Sequence, residues 1–270
     1  MTAQPPTPTG SPSGSPPGSP SGSSLPISGT AAEVFHLLWS NRDGFLRTVL
    51  VPVAASFTLA LLAYSVAESN ILPLILAADL IPTTLFAVSW HRLILMGPQE
   101  ALSAPVIRWG NRETTYLWRS ILLMIGIVLA MAIPFSFALA MAQRSAAGHL
   151  IMALVSLAAL FIMLRLALVL PAGAVDARYG FAQSWGDTAA RGFQLMAIVL
   201  LVALPLFVAL HIVNGLIAST GLAAAAPLTT LLLNSVGSYL FLAALLTVLA
   251  LAFRRLSGWQ DSQGAAVPAP

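Results

Sequence analysis

Four polar side chains in otherwise apolar surroundings are the places where chemistry could occur in this chain. They are Asp79, His211, Asn234 and Ser136. Each lies inside a long run of apolar residues, and each such run is long enough to cross a bilayer. At a rise of about 1.5 Å per residue, Asp79 is about 12 Å from the nearer end of its run, His211 about 9 Å, Asn234 about 10 Å and Ser136 about 8 Å. The four therefore share a depth in one half of the bilayer. An ionised Asp at that depth costs about 2.5 kcal/mol or more, so it must face protein or water rather than lipid. Two readings follow. The cluster is interhelical hydrogen-bond glue, which we favour here because it holds a single charge, or it is a proton- or solute-binding site. On either reading, Asp79 is expected to lie against at least one of His211, Asn234 and Ser136.

No other constellation suggests catalysis. His36, His91, His149 and His211 lack metal-ligand spacing. The chain has no Cys, which excludes thiol catalysis, disulfides and Cys-based metal sites. No Gly-rich phosphate loop and no nucleophile elbow occur. The expectation is no catalytic residues, no cofactor and no metal.

The elements that must hold these residues follow from composition. Hydrophobic residues make up 58% of the 270 and charged residues 8%, against about a quarter charged in soluble domains. Such a chain needs an apolar solvent, which a bilayer supplies. All 12 basic residues are Arg, and the net charge is +3. That is too sparse a basic balance for nucleic acid; anionic lipid head groups are the expected partner, together with a partner protein. The Arg, Ala, Leu and Gly usage suggests a GC-rich bacterial genome.

Residues 1–28 are uncharged and rich in Pro, Gly and Ser, so they read as a disordered tail that packs on nothing. Residues 29–258 read as one six-span transmembrane domain, and 259–270 as a short disordered tail. Thr30 and Glu33 have capping-box spacing and open a short amphipathic helix at the membrane interface, with Val34, Phe35, Leu38 and Trp39 on one face. Charge-free runs give the spans: one between Arg47 and Glu68, the next from Ile71 to Leu93 interrupted by Asp79, then Arg119 to Arg144 and Arg144 to Arg165. From Arg191 to Arg254 no charge occurs. As a single helix this stretch would be about 90 Å long, so it must fold back. The break is Ala218 to Pro227, giving spans five and six. Pro171 is expected to stop span four. Ser184 and Asp187 have the spacing of a second capping box, on an interfacial helix before span five.

Arginine sets the orientation. With the N-terminus in the cytoplasm, inner segments hold 11 arginines and outer loops only Arg144. All six Trp fall near the same interface, where indole prefers the head-group level. Both termini are therefore expected in the cytoplasm of a bacterial inner membrane. Arg47, Arg119 and Arg191 recur every 72 residues, and Arg92 and Arg165 are 73 apart. This spacing predicts an all-α bundle of three hairpins in series, each an interfacial helix, a span out and a span back, with pseudo-threefold packing. The five arginines read first as topology determinants that snorkel to water or phosphate, and alternatively as lipid head-group sites.

The stretch from Arg165 to Leu200 carries Arg165, Pro171, Asp176, Gly180, Ser184, Trp185, Gly192 and Phe193, and an earlier span end reads Ser89-Trp90-His91-Arg92. These residues resemble bacterial membrane proteins grouped around the membrane domain of some glycerophosphoryl diester phosphodiesterases. The resemblance implies a multi-span helical module. It does not carry over phosphodiesterase activity, because the catalytic barrel and its metal-binding carboxylates have no counterpart here. The function expected is a non-catalytic module that interacts with lipids or partner proteins; the alternative is a transporter or channel for a small or amphiphilic solute.

Overall fold

The structure, a computed structural model, describes residues 25–66, 70–101, 108–143, 145–221 and 225–259. Most of the N-terminal tail, nearly all of the C-terminal tail, Glu68 and Arg144 lie outside the described residues. Among them the secondary structure is all α-helix. Six helical stretches are long and apolar enough to cross a membrane: Arg42–Ser65, Leu72–Met96, Asn111–Ala142, Ala146–Ala174, Gly192–Ser219 and Pro227–Leu256.

The short helix α1 (Ile27–Ser40) comes first. It starts earlier than the sequence suggests, and Leu25 just before it is buried, so residues 25–28 belong to the fold rather than to a loose tail. The capping box at Thr30 does not form. Thr30 sits inside the helix, where its Oγ1 donates to the Pro26 carbonyl at 2.7 Å. The amphipathic face is also divided: Val34 is fully buried, whereas Phe35 and Trp39 face outward. The helix closes at Asn41, whose N–H reaches the Leu37 carbonyl.

Span one is α2 (Arg42–Ser65). Span two is α3 (Leu72–Ala78) joined to α4 (Leu80–Met96) through Asp79. Pro82 has no N–H to offer the Ala78 carbonyl, yet Asp79 N–H still bonds Ile75 and Thr83 N–H still bonds Asp79. Span two is therefore interrupted for one residue at Asp79 and not severed. Gly97 ends it at φ 85° and ψ 168°, a positive-φ conformation essentially confined to glycine. The one-turn α5 (Pro98–Ala101) follows.

Span three is α6 (Asn111–Ala142), opened by Glu113, whose carboxylate accepts the Gly110 N–H at 2.8 Å. Span four is α7 (Ala146–Leu166) continued by α8 (Val169–Ala174). Pro171 lies in the first turn of α8, where a missing N–H is tolerated, so the span runs past it to Ala174 and is not stopped there. The stop comes later. Asp176 adopts φ 56°, and the Ala177 N–H returns to the Ala172 carbonyl at 2.9 Å, the hydrogen bond of a Schellman cap. Then come α9 (Phe181–Asp187), span five α10 (Gly192–Ser219) and span six α11 (Pro227–Leu256). The N-cap of α9 is Gly180, so the Ser184–Asp187 capping box is replaced by other partners.

The spans pack as three antiparallel hairpins, α2 with α3 and α4, α6 with α7 and α8, and α10 with α11. Contacts between hairpins close a ring: α4 meets α6, α7 meets α10 and α11 meets α2. Inside that ring α4, α8 and α11 touch one another pairwise. The second span of each hairpin is thus central. Span six shows it most clearly, with 61% of its most apolar window buried against 17% for span five. The core between these central spans is aromatic. Phe86 stacks on Trp90 with centroids 6.0 Å apart, and Phe45 and Tyr239 present their edges to this pair. Trp90 departs from the expected interfacial belt. It is fully buried, and its indole N–H donates to the Ala243 carbonyl at 3.0 Å and to Thr247 Oγ1 at 2.9 Å. Trp39, Trp109, Trp118 and Trp185 are exposed.

Candidate functional site

At the interruption of span two, the Asp79 carboxylate meets spans one and six. Ser56 Oγ of α2 donates to Asp79 Oδ1 at 2.5 Å, and Tyr239 of α11 shares a 2.7 Å hydrogen bond with the same Ser56 hydroxyl. The Tyr239 hydroxyl also lies 3.4 Å from the Pro52 carbonyl, and its ring is fixed edge-on to Phe86 at 5.0 Å. Ser56 and Tyr239 are both buried. Three spans are therefore joined by a chain of hydroxyls that ends on a carboxylate. Beside that chain is a cavity of about 200 Å³, lined by Ser56, Asp79, Tyr239 and Ser238 and by apolar residues including Leu59, Ala60 and Ile75.

The expected partners of Asp79 are elsewhere. His211 and Asn234 do come together, but in a second cleft of about 220 Å³ between α10 and α11, with Asn214, Phe207 and Ser238. His211 Nδ1 bonds its own helix at the Phe207 carbonyl, 2.9 Å away. Ser136 is exposed and turns back to the Ala132 carbonyl at 2.8 Å. The predicted cluster thus separates into three parts, and Ser238 is common to the two cavities. The physical reason is azimuth. Residues at one depth need not face one direction, because each residue step turns a helix by about 100°. Ser56 and Tyr239 escaped sequence reasoning because a Ser hydroxyl in a span can bond the carbonyl one turn back, and a Tyr is common in helical cores. Their only legible signal was depth.

The arginine-bearing end is more tied down than snorkelling alone would give. Arg165 is clasped by α9: its guanidinium lies 3.5 Å from the Trp185 ring centroid, Nη2 donates to the Trp185 carbonyl at 2.7 Å, and Nε donates to Thr188 Oγ1 at 3.3 Å. Ser184 Oγ returns a bond to the Arg165 carbonyl at 2.6 Å. Arg119 Nη1 reaches the Val169 carbonyl at 2.9 Å, joining span three to α8. Arg92 and Arg191 are half-buried and engaged within the fold, and Arg47 is exposed. Arg112 pairs with Asp176, and Glu33 accepts from both Arg254 and Arg255. Asp187 accepts from the Tyr179 hydroxyl at 2.8 Å. Burial, and after it the bond and charge of Asp187, push the Tyr179 phenol above the usual tyrosine range.

One further polar group was not singled out by sequence. His91 of α4 is fully buried against Tyr116, and neither ring nitrogen has a hydrogen-bond partner among the described residues. Among those residues no group of three or more His, Asp or Glu side chains is placed to hold a metal ion. Chemically, the Asp79 site can accept a proton or a positively charged group. The arginine end offers cations, with exposed indoles beside them. Compared with known proteins, the chain matches no family model, no curated protein and no solved structure.

Proposed function

We propose that this chain is a non-catalytic bacterial inner-membrane module, with both termini in the cytoplasm, that engages anionic lipid head groups through its arginine-bearing end. One observation carries the reading. At that end the side chains of Arg47, Arg108 and Arg178 are exposed, and Trp39, Trp109 and Trp118 are exposed too. Arginine and indole together suit the head-group layer, each near-surface arginine contributing about 1 kcal/mol of attraction to an anionic leaflet. The resemblance of Arg165–Leu200 to the membrane domain of glycerophosphoryl diester phosphodiesterases supports the same kind of multi-span module. The recurrence of arginine every 72 residues, with the ring of hairpin contacts, supports descent from a repeated hairpin. Partner proteins would dock on the same end.

The test is lipid retention by the purified full-length protein in mixed phosphatidylglycerol and phosphatidylcholine nanodiscs. Phosphatidylglycerol should be enriched around the protein, and replacing Arg47, Arg108 and Arg178 together by Gln should remove the enrichment. Equal lipid preference in the two proteins would refute the reading. A second reading, passage of a small or amphiphilic solute, is favoured by the cavity at Asp79, where a carboxylate stands at membrane depth beside open space.

A further inference from the structure

We propose that the cavity beside Asp79 binds a small organic monocation, an ammonium group carrying a short apolar body. The inference goes beyond the lipid-binding reading, and it deepens the second reading, on which it rests, by naming a solute class.

The first ground is charge. Asp79 is the one acidic residue in the cavity wall, and among the described residues no basic side chain pairs with it. A lone carboxylate at membrane depth is stabilised by a single positive charge from outside the fold. Anions are repelled there, and a divalent ion lacks the second and third carboxylates it usually takes. The second ground is the hydroxyl chain. Ser56 donates to Oδ1 and is itself bonded to Tyr239, which fixes the carboxylate in place. Ser238 adds a further oxygen to the wall. An ammonium N–H set is matched by such carboxylate and hydroxyl acceptors.

The third ground is the remainder of the wall. Leu59, Ala60, Ala63, Ile75 and Leu76 are apolar. A bare metal ion gains nothing from them, whereas an alkyl group attached to nitrogen buries its carbons there. The volume of about 200 Å³ is below the range of about 300–1,000 Å³ typical of drug-sized ligands, so a molecule of a few heavy atoms fits.

The probe is n-butylammonium chloride, titrated calorimetrically into the full-length protein in nanodiscs at constant ionic strength, with n-butanol and sodium chloride as controls. Saturable binding of butylammonium is expected, at least tenfold tighter than butanol or sodium. D79N should weaken it at least tenfold. A60L keeps the carboxylate but fills the apolar wall, and it should also weaken butylammonium at least tenfold; this variant carries the test should D79N fail to fold. Unchanged butylammonium binding in A60L, or in a folded D79N, would overturn the proposal. Sodium binding as tightly as butylammonium would overturn it in favour of an inorganic cation. Vesicle flux of butylammonium is measured separately: binding without flux upholds the site and refutes passage, and the lipid-retention test is independent of both.

Discussion

Glu33 in α1 accepts a hydrogen bond from Arg255 at the end of α11, joining residues 222 apart in sequence. The same carboxylate accepts from Arg254 at 3.3 Å, and Arg255 also reaches Thr30 Oγ1 at 2.5 Å. The first helix is thereby closed onto the last, and it packs on α10 and α11. The α9 helix is held to α7 in an analogous way, through Arg165. In both cases an arginine near the end of the second span of a hairpin fastens the short helix that precedes another hairpin's first span. Arg92 is at the corresponding end of span two.

This clasp predicts a charge-reversal pattern. Glu33→Arg should place three cations together and loosen α1. The pair is partly exposed, so the loss in stability should be modest, about 1 kcal/mol. The combination with Arg254→Glu and Arg255→Glu should recover most of it. Thermal melting of the three proteins in one detergent is the measurement, and equal midpoints for all three would remove the clasp from the account.

Gly148 predicts a sharper effect. It lies in the first turn of α7, just after the turn that joins spans three and four, and a Cβ built there would be 2.1 Å from the Met141 backbone. Backbone cannot give way as a flexible side chain does. Ordinarily Gly→Ala in a helix gains about 1 kcal/mol. Here overpacking should outweigh that gain, and Gly148→Ala should destabilise the protein by about 1–3 kcal/mol. A raised melting midpoint for this variant would contradict the close approach.

Arg165→Lys should uncouple α9 although the charge is kept. Lysine has no planar face to lie on Trp185 and no forked donors for the Trp185 carbonyl and Thr188. The expected cost is about 1–2 kcal/mol. Faster amide hydrogen exchange, confined to residues 181–190, would report it, and unchanged exchange there would show that the clasp is dispensable.

The spans were legible because each is a charge-free run of bilayer length, and their pairing followed from short turns. The ring of hairpins was legible in the 72-residue recurrence of Arg47, Arg119 and Arg191. What the sequence hid was rotation. Depth placed Asp79 within a span, but whether it met His211 or Tyr239 depended on the azimuth of three helices, which depth does not set. Trp90 misled for the same reason: it lies near the arginine-bearing end of its span, and only packing reveals that it points inward to Thr247. The caps at Thr30 and Ser184 failed because their spacing is common, whereas Gly97 ended a helix at a positive φ that favours glycine.

Orientation supplies the last prediction. Of 12 arginines, only Arg144 falls, in sequence, in a connection that the topology assigns to the outer side, the one between α6 and α7. Arginine is retained on the cytoplasmic side during insertion, and the bias of eleven to one over short connecting segments is the condition under which the rule is strongest. A fluorescent reporter that matures only in the cytoplasm, fused after Arg255, should fluoresce, and an alkaline phosphatase fused at the same place should be inactive. The phosphatase inserted beside Arg144 should be active. An active phosphatase after Arg255 would invert the whole assignment. It would place the exposed Arg47, Arg108 and Arg178 against the outer leaflet and bring the Asp79 cavity into the half of the membrane nearer the cytoplasm.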